Sequence, residues 1–471
     1  MSKENYSERF FKIICNYNPY FSSAMDKDVP ILPDYSRENV MNTIDKMNKL
    51  IEDMEKECDN NKYLKQSIIT TKFFLKNSIL WNNPYYYYYR LESSLEICWN
   101  CHSVINGKPA KVDVIKKRLE NLERYINTAI KNMEYVDIGK LDCIYGISKF
   151  KDLKLFEFIK KKFEININLE KIKKQMERIC EFLEKKKKES INILCPYDSK
   201  TLEKYIFLET GLVFSKENLE KSLYESLNIN VPEGKVGVKI EGENVQSILA
   251  EIINAGKNIF GQYEKLEDSI NYIYISREEN RYLNYIGYVP NPISEKKVFG
   301  TFMYNERFLK KDKYDKILGI VHEIYPGHHY MNCINKTKNL ENISKVLYES
   351  TAFSEGWAKY CEYIYASKIL EDEKFYFHFG QQLERVSLIG ITAYKIYFQE
   401  KDYNSVYEEL YSYENGKYRE AANSIILQAY ISPVESISIV LGFMFFYKNQ
   451  RNLSLEQIYN EGAWILRDMC V

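Results

Sequence analysis

Apolar residues recur at steps of three and four positions over long segments of this chain. The pattern is clearest in residues 36–57, which begin with a polar capping residue, and it returns in residues 112–133 and 165–194. Such spacing places apolar side chains along one face of an α-helix. Strand-like segments are scarce, and the best candidates are residues 235–242 and 298–305. The sequence therefore predicts a mainly α fold, large and helical, with a small β element.

The length of 471 residues is enough for one large domain or for two lobes, each with its own core. Turn-forming residues at 196–199 (PYDS) favour a boundary at that point. We therefore predict an N-terminal helical half, residues 1–195, and a C-terminal half, residues 196–471, that carries the chemistry. One continuous domain is the alternative.

Positive and negative side chains balance, with 66 Lys and Arg against 66 Asp and Glu. Such a balance gives no overall attraction to nucleic acid or to an anionic membrane. The longest near-continuous apolar run, residues 437–447, is well short of the roughly 18 residues that span a bilayer. We therefore expect neither nucleic acid nor a membrane as a partner.

The cellular location is predicted from the amino terminus and the cysteines. The first twenty residues contain no apolar core of signal-peptide length, and the ten cysteines show no disulfide-framework spacing. These features predict a reduced, cytoplasmic protein.

Five consecutive tyrosines, residues 85–89, stand between Pro84 and Arg90. Such a run can pack around the start of a helix with its hydroxyls reaching water, or it can line a substrate cleft. We favour packing.

The histidines are unevenly distributed along the chain. Of five in total, three fall within the eight residues HEIYPGHH, 322–329. Imidazole is the commonest side-chain ligand for zinc, and a catalytic site needs about three protein ligands with one position left for water. Glu323 follows the first histidine directly, as in the H-E-x-x-H helix, where this glutamate is the general base. The segment therefore predicts a zinc site with His322 as a ligand and Glu323 as the base.

The second histidine ligand is less directly specified. The position four residues after His322 is Pro326, and a step of seven residues along an ideal helix rises about 10.5 Å, too far for one ion to bridge. Pro326 and Gly327 make an ideal helix improbable, and a widened turn there would bring His328 back beside His322. We predict His328 as the ligand, with His329 as the alternate ligand or a residue that supports one.

An acid on a following helix is the expected third ligand. Glu355 lies 27 residues after His328, in the segment ESTAFSEGWAKYCEY. Glu349 and Glu362 lie one and two helical turns away on roughly the same side, where either could hold a ligating histidine. The alternative is an ordinary amphipathic helix with acids on its surface.

These two segments resemble the bacterial domain-of-unknown-function 885 family, whose members typically read H-E-x-x-P-G-H-H and then E-G-W-A-x-Y-x-E. The resemblance implies a zinc-dependent peptidase of the gluzincin type, with carboxypeptidase-like members and a helical fold around a central cleft. It also implies His322, His328 or His329, and Glu355 as metal residues, with Glu323 as base. Four further segments follow the family's order, so the resemblance spans nearly the whole chain: residues 32–39, 82–90, 299–305 and 418–442.

The carboxyl-terminal motif departs from the family pattern. Glu435 stands where the family has Gln, Ile439 where it has Tyr, and Val440 where it has Lys. Gln428 and Ala429 replace an Arg-Tyr pair. The residues that would anchor a substrate are thus altered while the metal residues are intact, which predicts a changed substrate.

The leading prediction is a zinc metallopeptidase-like hydrolase that uses Zn²⁺ to cleave an amide bond in a peptide or peptide-like small molecule. Tyr430, Tyr394 and Arg385 are candidate oxyanion donors by position alone. One alternative is a biosynthetic tailoring enzyme that forms or cleaves an amide in a specialised metabolite. The other is a non-catalytic binding protein with a relic metal site.

Overall fold

The computed structural model describes residues 5–17, 29–77, 81–96, 98–99, 111–194, 198–229, 238–261, 266–279, 285–290, 299–337, 350–370 and 372–450, together with Ile458 and Leu466. Within these residues the chain is mainly helical with one small sheet, as the sequence predicts.

In the part of residues 1–194 that the structure describes there are nine α-helices. They are α1 (Tyr6–Tyr17), α2 (Arg37–Lys56), α3 (Lys62–Asn77), α4 (Pro84–Glu96), α5 (Val112–Glu120), α6 (Leu122–Met133), α7 (Lys140–Phe150), α8 (Lys154–Lys162) and α9 (Leu169–Glu189).

The described residues after 195 contain three strands and further helices. The helices before the sheet are α10 (Ser199–Thr210), α11 (Lys216–Glu225) and α12 (Val245–Phe260). The strands are β1 (Ile270–Tyr274), β2 (Ile286–Pro290) and β3 (Gly300–Tyr304). The helices after the sheet are α13 (Glu306–Leu309), α14 (Lys313–Glu323), α15 (His328–Thr337), α16 (Thr351–Ile364), α17 (Glu373–Phe398), α18 (Tyr403–Ser412), α19 (Ala422–Ile431) and α20 (Pro433–Asn449).

The three strands form a mixed sheet in the order β1-β3-β2. β1 runs parallel to β3, with Ile270 opposite Gly300, and β2 runs antiparallel to it, with Ile286 opposite Tyr304. The strand predicted at 298–305 is therefore β3. The other predicted strand was wrong in its described part, because residues 238–242 form no strand; residues 235–237 lie outside the described residues.

Local sequence signals account for the helix boundaries. Ser36 caps α2 by accepting a hydrogen bond from the Asn39 N–H, and Asn168 caps α9 in the same way. These side-chain oxygens satisfy backbone donors that a helix start leaves free. The helix predicted over 112–133 is divided in two at Asn121, which lies outside both α5 and α6.

Two large clusters of buried apolar side chains lie in the described residues, one within 10–183 and the other within 202–466. Contacts also join the two parts of the chain. The Trp99 indole N–H donates to the carbonyl of Glu279 at 3.1 Å, and the Tyr430 hydroxyl donates to Asp142 at 2.5 Å. The predicted division into 1–195 and 196–471 stays a prediction.

The tyrosine run begins α4. Tyr86, Tyr87 and Tyr88 are buried, and the Tyr87 hydroxyl accepts a hydrogen bond from Asn132 Nδ2 at 2.8 Å. Packing is thus the role of these three residues, whereas Tyr89 is 37% exposed.

Helices α16 and α20 approach each other through glycines. A Cβ on Gly356 would lie 2.4 Å from the carbonyl carbon of Gly442, and a Cβ on Gly442 would lie 1.8 Å from the carbonyl oxygen of Ala352. Side chains are excluded at both positions, so the two backbones are in direct contact. The contact lies one residue after Glu355.

Among the described residues, no single helix has both the length and the apolarity to cross a membrane. Helices α19 and α20 have the necessary length and apolarity only when they are counted together, and the chain bends by 96° between them.

Candidate metal centre

Helix α14 carries His322 and Glu323 in its last turn. Asp312 caps its start by accepting from the Asp315 N–H, and residues 317–321 are buried in the C-terminal apolar cluster. The helix is thereby held along its apolar side, while His322 and Glu323 are only partly buried.

The chain turns sharply between His322 and His328. The Gly327 N–H donates to the carbonyl of Val321 at 3.1 Å, six residues back, and α15 then begins at His328. A Cβ on Gly327 would lie 1.7 Å from the His322 carbonyl oxygen, so only glycine fits here. The turn brings the two imidazoles together, with ring centroids 4.8 Å apart and planes at 88°.

Glu355 from α16 lies between the two histidines. Its Oε2 is 3.3 Å from Nε2 of His322, and its Oε1 is 3.4 Å from Nε2 of His328. One ligand atom from each of the three residues lies within 4.8 Å of the others. This is the group that the sequence predicts as His322, His328 and Glu355.

The spacing of these atoms fits a zinc ion. Ligand atoms about 2.0–2.2 Å from a tetrahedral zinc lie roughly 3.3–3.6 Å from one another. The separations are 3.3 Å from His322 to Oε2 of Glu355 and 3.4 Å from His328 to Oε1, so each histidine faces its own carboxylate oxygen at a distance within that range. The side chains are also partly open, with His322 17%, His328 16% and Glu355 31% exposed, which leaves room for a fourth ligand. Two histidines and one carboxylate are a donor set found in catalytic zinc sites.

Glu362 and Lys359 lie behind His322. The Nδ1 atom of His322 lies 2.7 Å from Glu362 Oε1, and Lys359 Nζ lies 2.8 and 2.9 Å from the two Glu362 oxygens. A carboxylate that accepts from Nδ1–H leaves the Nε2 lone pair directed at the site. The prediction included Glu362 as a residue that could hold a ligand; Glu349, its alternative, lies outside the described residues.

The charges of this group shift one another's pKa values strongly. Burial alone would raise the pKa of Glu355, but His328 and His322 hold it well below its usual value. Burial would lower the pKa of His322, but Glu355 and Glu362 raise it to about 10. The pKa of His328 is also raised, by Glu355 against the effect of burial. Strongly shifted groups in a partly open site are typical of functional centres.

Glu323 has the opposite shift from Glu355. Burial raises its pKa, and the charges of Glu355 and Glu362 raise it further, against His322 and His328. Its carboxyl group is therefore within electrostatic range of the whole group and has a higher affinity for a proton than an ordinary glutamate. A general base needs both properties.

His329 does not join the three-residue group. It is fully buried, with Nε2 2.9 Å from Ser269 Oγ and Nδ1 3.0 Å from the Tyr288 hydroxyl. Consecutive residues at a helix start point about 100° apart, so His328 and His329 face different neighbours. These contacts do not support the prediction of His329 as an alternate ligand, and its role in supporting a ligand stays a prediction.

The three oxyanion candidates chosen by position make contacts elsewhere. The Tyr430 hydroxyl donates to Asp142 at 2.5 Å, and the Tyr394 hydroxyl to the Lys216 carbonyl and to Glu220 at 3.3 Å. Arg385 Nη2 donates to Ser424 Oγ at 3.3 Å. The structure thus does not support Tyr430 or Tyr394 as oxyanion donors.

Tyr285, just before β2, lies within electrostatic range of Glu362 and Glu323, which the sequence did not reveal. Burial raises its pKa, and the nearby carboxylates of Glu362 and Glu323 raise it further, while Arg385 acts in the opposite direction. Its phenol therefore lies within electrostatic range of the predicted base and of Arg385. With 41 tyrosines in the chain, no spacing distinguishes this one.

The altered carboxyl-terminal motif lies on two helices, with Gln428 and Ala429 on α19 and Glu435, Ile439 and Val440 on α20. Burial raises the pKa of Glu435, and the neighbouring Glu355 raises it further. The residue that replaces the family's Gln is therefore within electrostatic range of a predicted metal ligand.

A second group of possible ligands lies at the other end of α14. His378 Nδ1 is 3.3 Å from Asp315 Oδ1 and 3.6 Å from Asp312 Oδ2. Asp315 also pairs with Lys311 at 2.8 Å, and Asp312 caps the helix. Ion pairing and capping account for this group.

Residues 168–385 match the model of a family described as "Bacterial protein of unknown function (DUF885)". No curated protein matches the chain.

Two solved structures resemble the chain over nearly its full length. One is a "putative lipoprotein of unknown function" from Shewanella oneidensis, 14% identical, with a TM-score of 0.64 and 98% of each chain covered. The other is a "putative lipoprotein" from Colwellia psychrerythraea, 12% identical, with a TM-score of 0.71 and coverage of 98% of this chain and 97% of that one. At such identities the likeness concerns the fold alone. The family match covers a little under half of the chain and includes His322, His328 and Glu355, so over residues 168–385 the chain is similar to the DUF885 family.

Proposed function

We propose that this protein is a zinc-dependent hydrolase that cleaves an amide bond in a peptide or peptide-like small molecule. The observation that carries the proposal is the convergence of His322 Nε2, His328 Nε2 and the Glu355 carboxylate at separations suited to one ion. We further propose that the helices around this group form a gluzincin-like scaffold, with the site in a central cleft.

Each residue has a distinct part in the proposed reaction. When bound, zinc would lower the pKa of a coordinated water to roughly 7 and polarise the scissile carbonyl. Glu323 accepts the proton of the attacking water and passes it to the leaving amine. Its raised pKa suits both steps, because the group must take up the proton and then hold it. Glu362 keeps His322 oriented through Nδ1.

An oxyanion donor completes the mechanism, and Tyr285 is the residue best suited to that part. Its phenol lies within electrostatic range of Glu362 and Glu323, and a neutral phenol can donate to a developing negative charge. Arg385 lies within electrostatic range of Tyr285 and adds positive charge near its phenol.

A changed substrate is the alternative that one observation favours. Glu435 replaces a neutral family residue within electrostatic range of Glu355, so the substrate-facing charge differs from the family pattern. A tailoring enzyme acting on one specialised peptide-like metabolite would have this feature. Hydrolysis of many unrelated peptides would argue against it.

The direct test is zinc analysis of the purified protein, followed by a screen of peptides and N-acyl amino acids. One zinc per chain together with amide hydrolysis supports the proposal. Protein that binds no zinc and hydrolyses nothing would instead support the relic binding protein.

The cytoplasmic location stays a prediction, and the names of the two structural neighbours favour a different location.

Zinc affinity should rise with pH. Without metal, His322 has a pKa of about 10 and holds a proton at neutral pH, and the pKa of His328 is raised above its usual value. Zinc must displace the protons of the histidines that it binds, which makes binding weaker as the pH falls and stronger as it rises toward the histidine pKa values. Titration calorimetry in buffers of different ionisation enthalpy should show proton release on zinc binding at pH 7. Binding without proton release would contradict His322 as a ligand.

Tyr285→Phe should lower kcat by about 10²–10³, the usual effect of losing one oxyanion donor, with little change in KM. Steady-state kinetics on the substrate found in the screen measures this effect. Tyr394→Phe is the matched control, because its hydroxyl contacts Glu220 and a backbone carbonyl, and its kcat should stay near that of the wild type. Equal losses in both variants would contradict the assignment of Tyr285.

A further inference from the structure

A buried lysine lies close to the candidate metal centre. Lys359 is 6% exposed, in the middle of α16. Lysine is almost never fully buried unless its charge is paired. Its Nζ contacts both carboxylate oxygens of Glu362, at 2.8 and 2.9 Å. Glu362 is itself only 1% exposed.

The helix places these side chains in a row. Glu355, Lys359 and Glu362 stand at steps of four and three residues, so they share one face of α16. Glu355 reaches the open side of the group, whereas Glu362 contacts the Nδ1 atom of His322 from behind at 2.7 Å. Lys359 is thus linked to His322 through Glu362, and the Nε2 atom of that histidine faces the candidate metal site.

Lys359 restricts the Glu362 carboxylate geometrically. A glutamate with one hydrogen-bond partner can rotate about its last bond, since that torsion is soft. Two contacts from one ammonium group, together with His322 Nδ1, hold the carboxylate plane in a single orientation. The orientation of the His322 ring follows from that of Glu362.

We infer that Lys359 is a positioning residue for zinc, acting on His322 through Glu362. This inference rests on the proposed zinc site but not on the proposed hydrolysis. Lys359 itself does not reach substrate, because its side chain is buried and both contacts of Nζ described above are to Glu362. Residues that hold a ligand from behind typically contribute about 10–100-fold to metal affinity.

The test is the zinc affinity of Lys359→Met, measured by competition with a chromophoric chelator. The expected result is a loss of about 10–100-fold, with the helical circular dichroism spectrum retained. The matched control is Lys395→Met, since Lys395 is also a partly buried lysine paired with a glutamate, Glu409, at 2.6 Å. The control should keep wild-type zinc affinity even if its Tm falls. Unchanged affinity in Lys359→Met, with zinc bound by the wild type, would overturn the inference.

Two further variants separate positioning from mere stability. Glu362→Gln should lower zinc affinity on its own, and adding Lys359→Met to it should cause little further loss, because Lys359 acts through Glu362. Fully additive losses would overturn the inference. If Lys359→Met does not fold, Lys359→Gln, which keeps one donor for Glu362, should lose less than 10–100-fold but remain measurably weaker than the wild type. Wild-type protein that binds zinc without hydrolysing amides would overturn the proposed function and leave this result intact.

Discussion

Glu323→Gln should bind zinc as tightly as the wild type and hydrolyse its substrate about 10²–10⁴-fold more slowly. The amide is nearly the same size as the carboxylate, so the end of α14 and both histidines keep their positions. It has no basic oxygen that could take a proton from water, so the loss falls on kcat. Zinc analysis and single-turnover kinetics on the same preparation measure the two effects separately.

The control for this variant is Glu306→Gln, an exposed glutamate at the start of α13 that pairs with Lys310. It should be unchanged in both measurements. Full activity in Glu323→Gln would remove Glu323 as the base, and loss of zinc would show that Glu323 instead helps to bind the metal.

His322→Ala, His328→Ala and Glu355→Ala should each lose zinc when dialysed against a weak chelator. Each change removes one of the three proposed ligands, so zinc affinity should fall by more than the roughly 10–100-fold that is typical of a residue that only supports a ligand. His329→Ala should keep one zinc per chain, because its ring contacts Ser269 and Tyr288. Metal content by mass spectrometry of purified proteins distinguishes the four variants.

His329→Ala has a separate cost in stability. It leaves the buried Ser269 without one partner, which typically costs about 1–3 kcal/mol. Its metal content should therefore be measured at a temperature where the variant is folded. Zinc retained by His328→Ala and lost by His329→Ala would reverse the assignment of the second histidine.

The helices and the main site residues were predictable from local sequence. Apolar periodicity identified α2 and α9 because one face of each packs into a core, and that face recurs every three to four residues. The candidate residues His322, Glu323 and Glu355 were identifiable from the cluster of histidines, the spacing along the chain and the resemblance to the DUF885 family taken together. The choice of His328 depended on Gly327, whose lack of a side chain permits the close approach to the His322 carbonyl.

The remaining site residues depend on contacts between distant segments. His328 and His329 are neighbours with the same side chain. Only the direction of α15 determines that His328 faces Glu355 and that His329 is buried against Ser269. Tyr430 was predicted as an oxyanion donor from its position in the chain. Its hydroxyl instead donates a hydrogen bond to Asp142, nearly three hundred residues away in the sequence. Lys359 occupies a variable position of the family pattern, and its part emerges only from its burial beside Glu362.

The glycine contact between α16 and α20 has a consequence for how this site can evolve. The position of Glu355 relative to α20 is set by backbone touching backbone at Gly356 and Gly442, without intervening side chains. Side chains beside this contact on α20 can therefore change without moving Glu355. In such a scaffold Glu435 and its neighbours can be exchanged during evolution while the arrangement of His322, His328 and Glu355 is inherited unchanged.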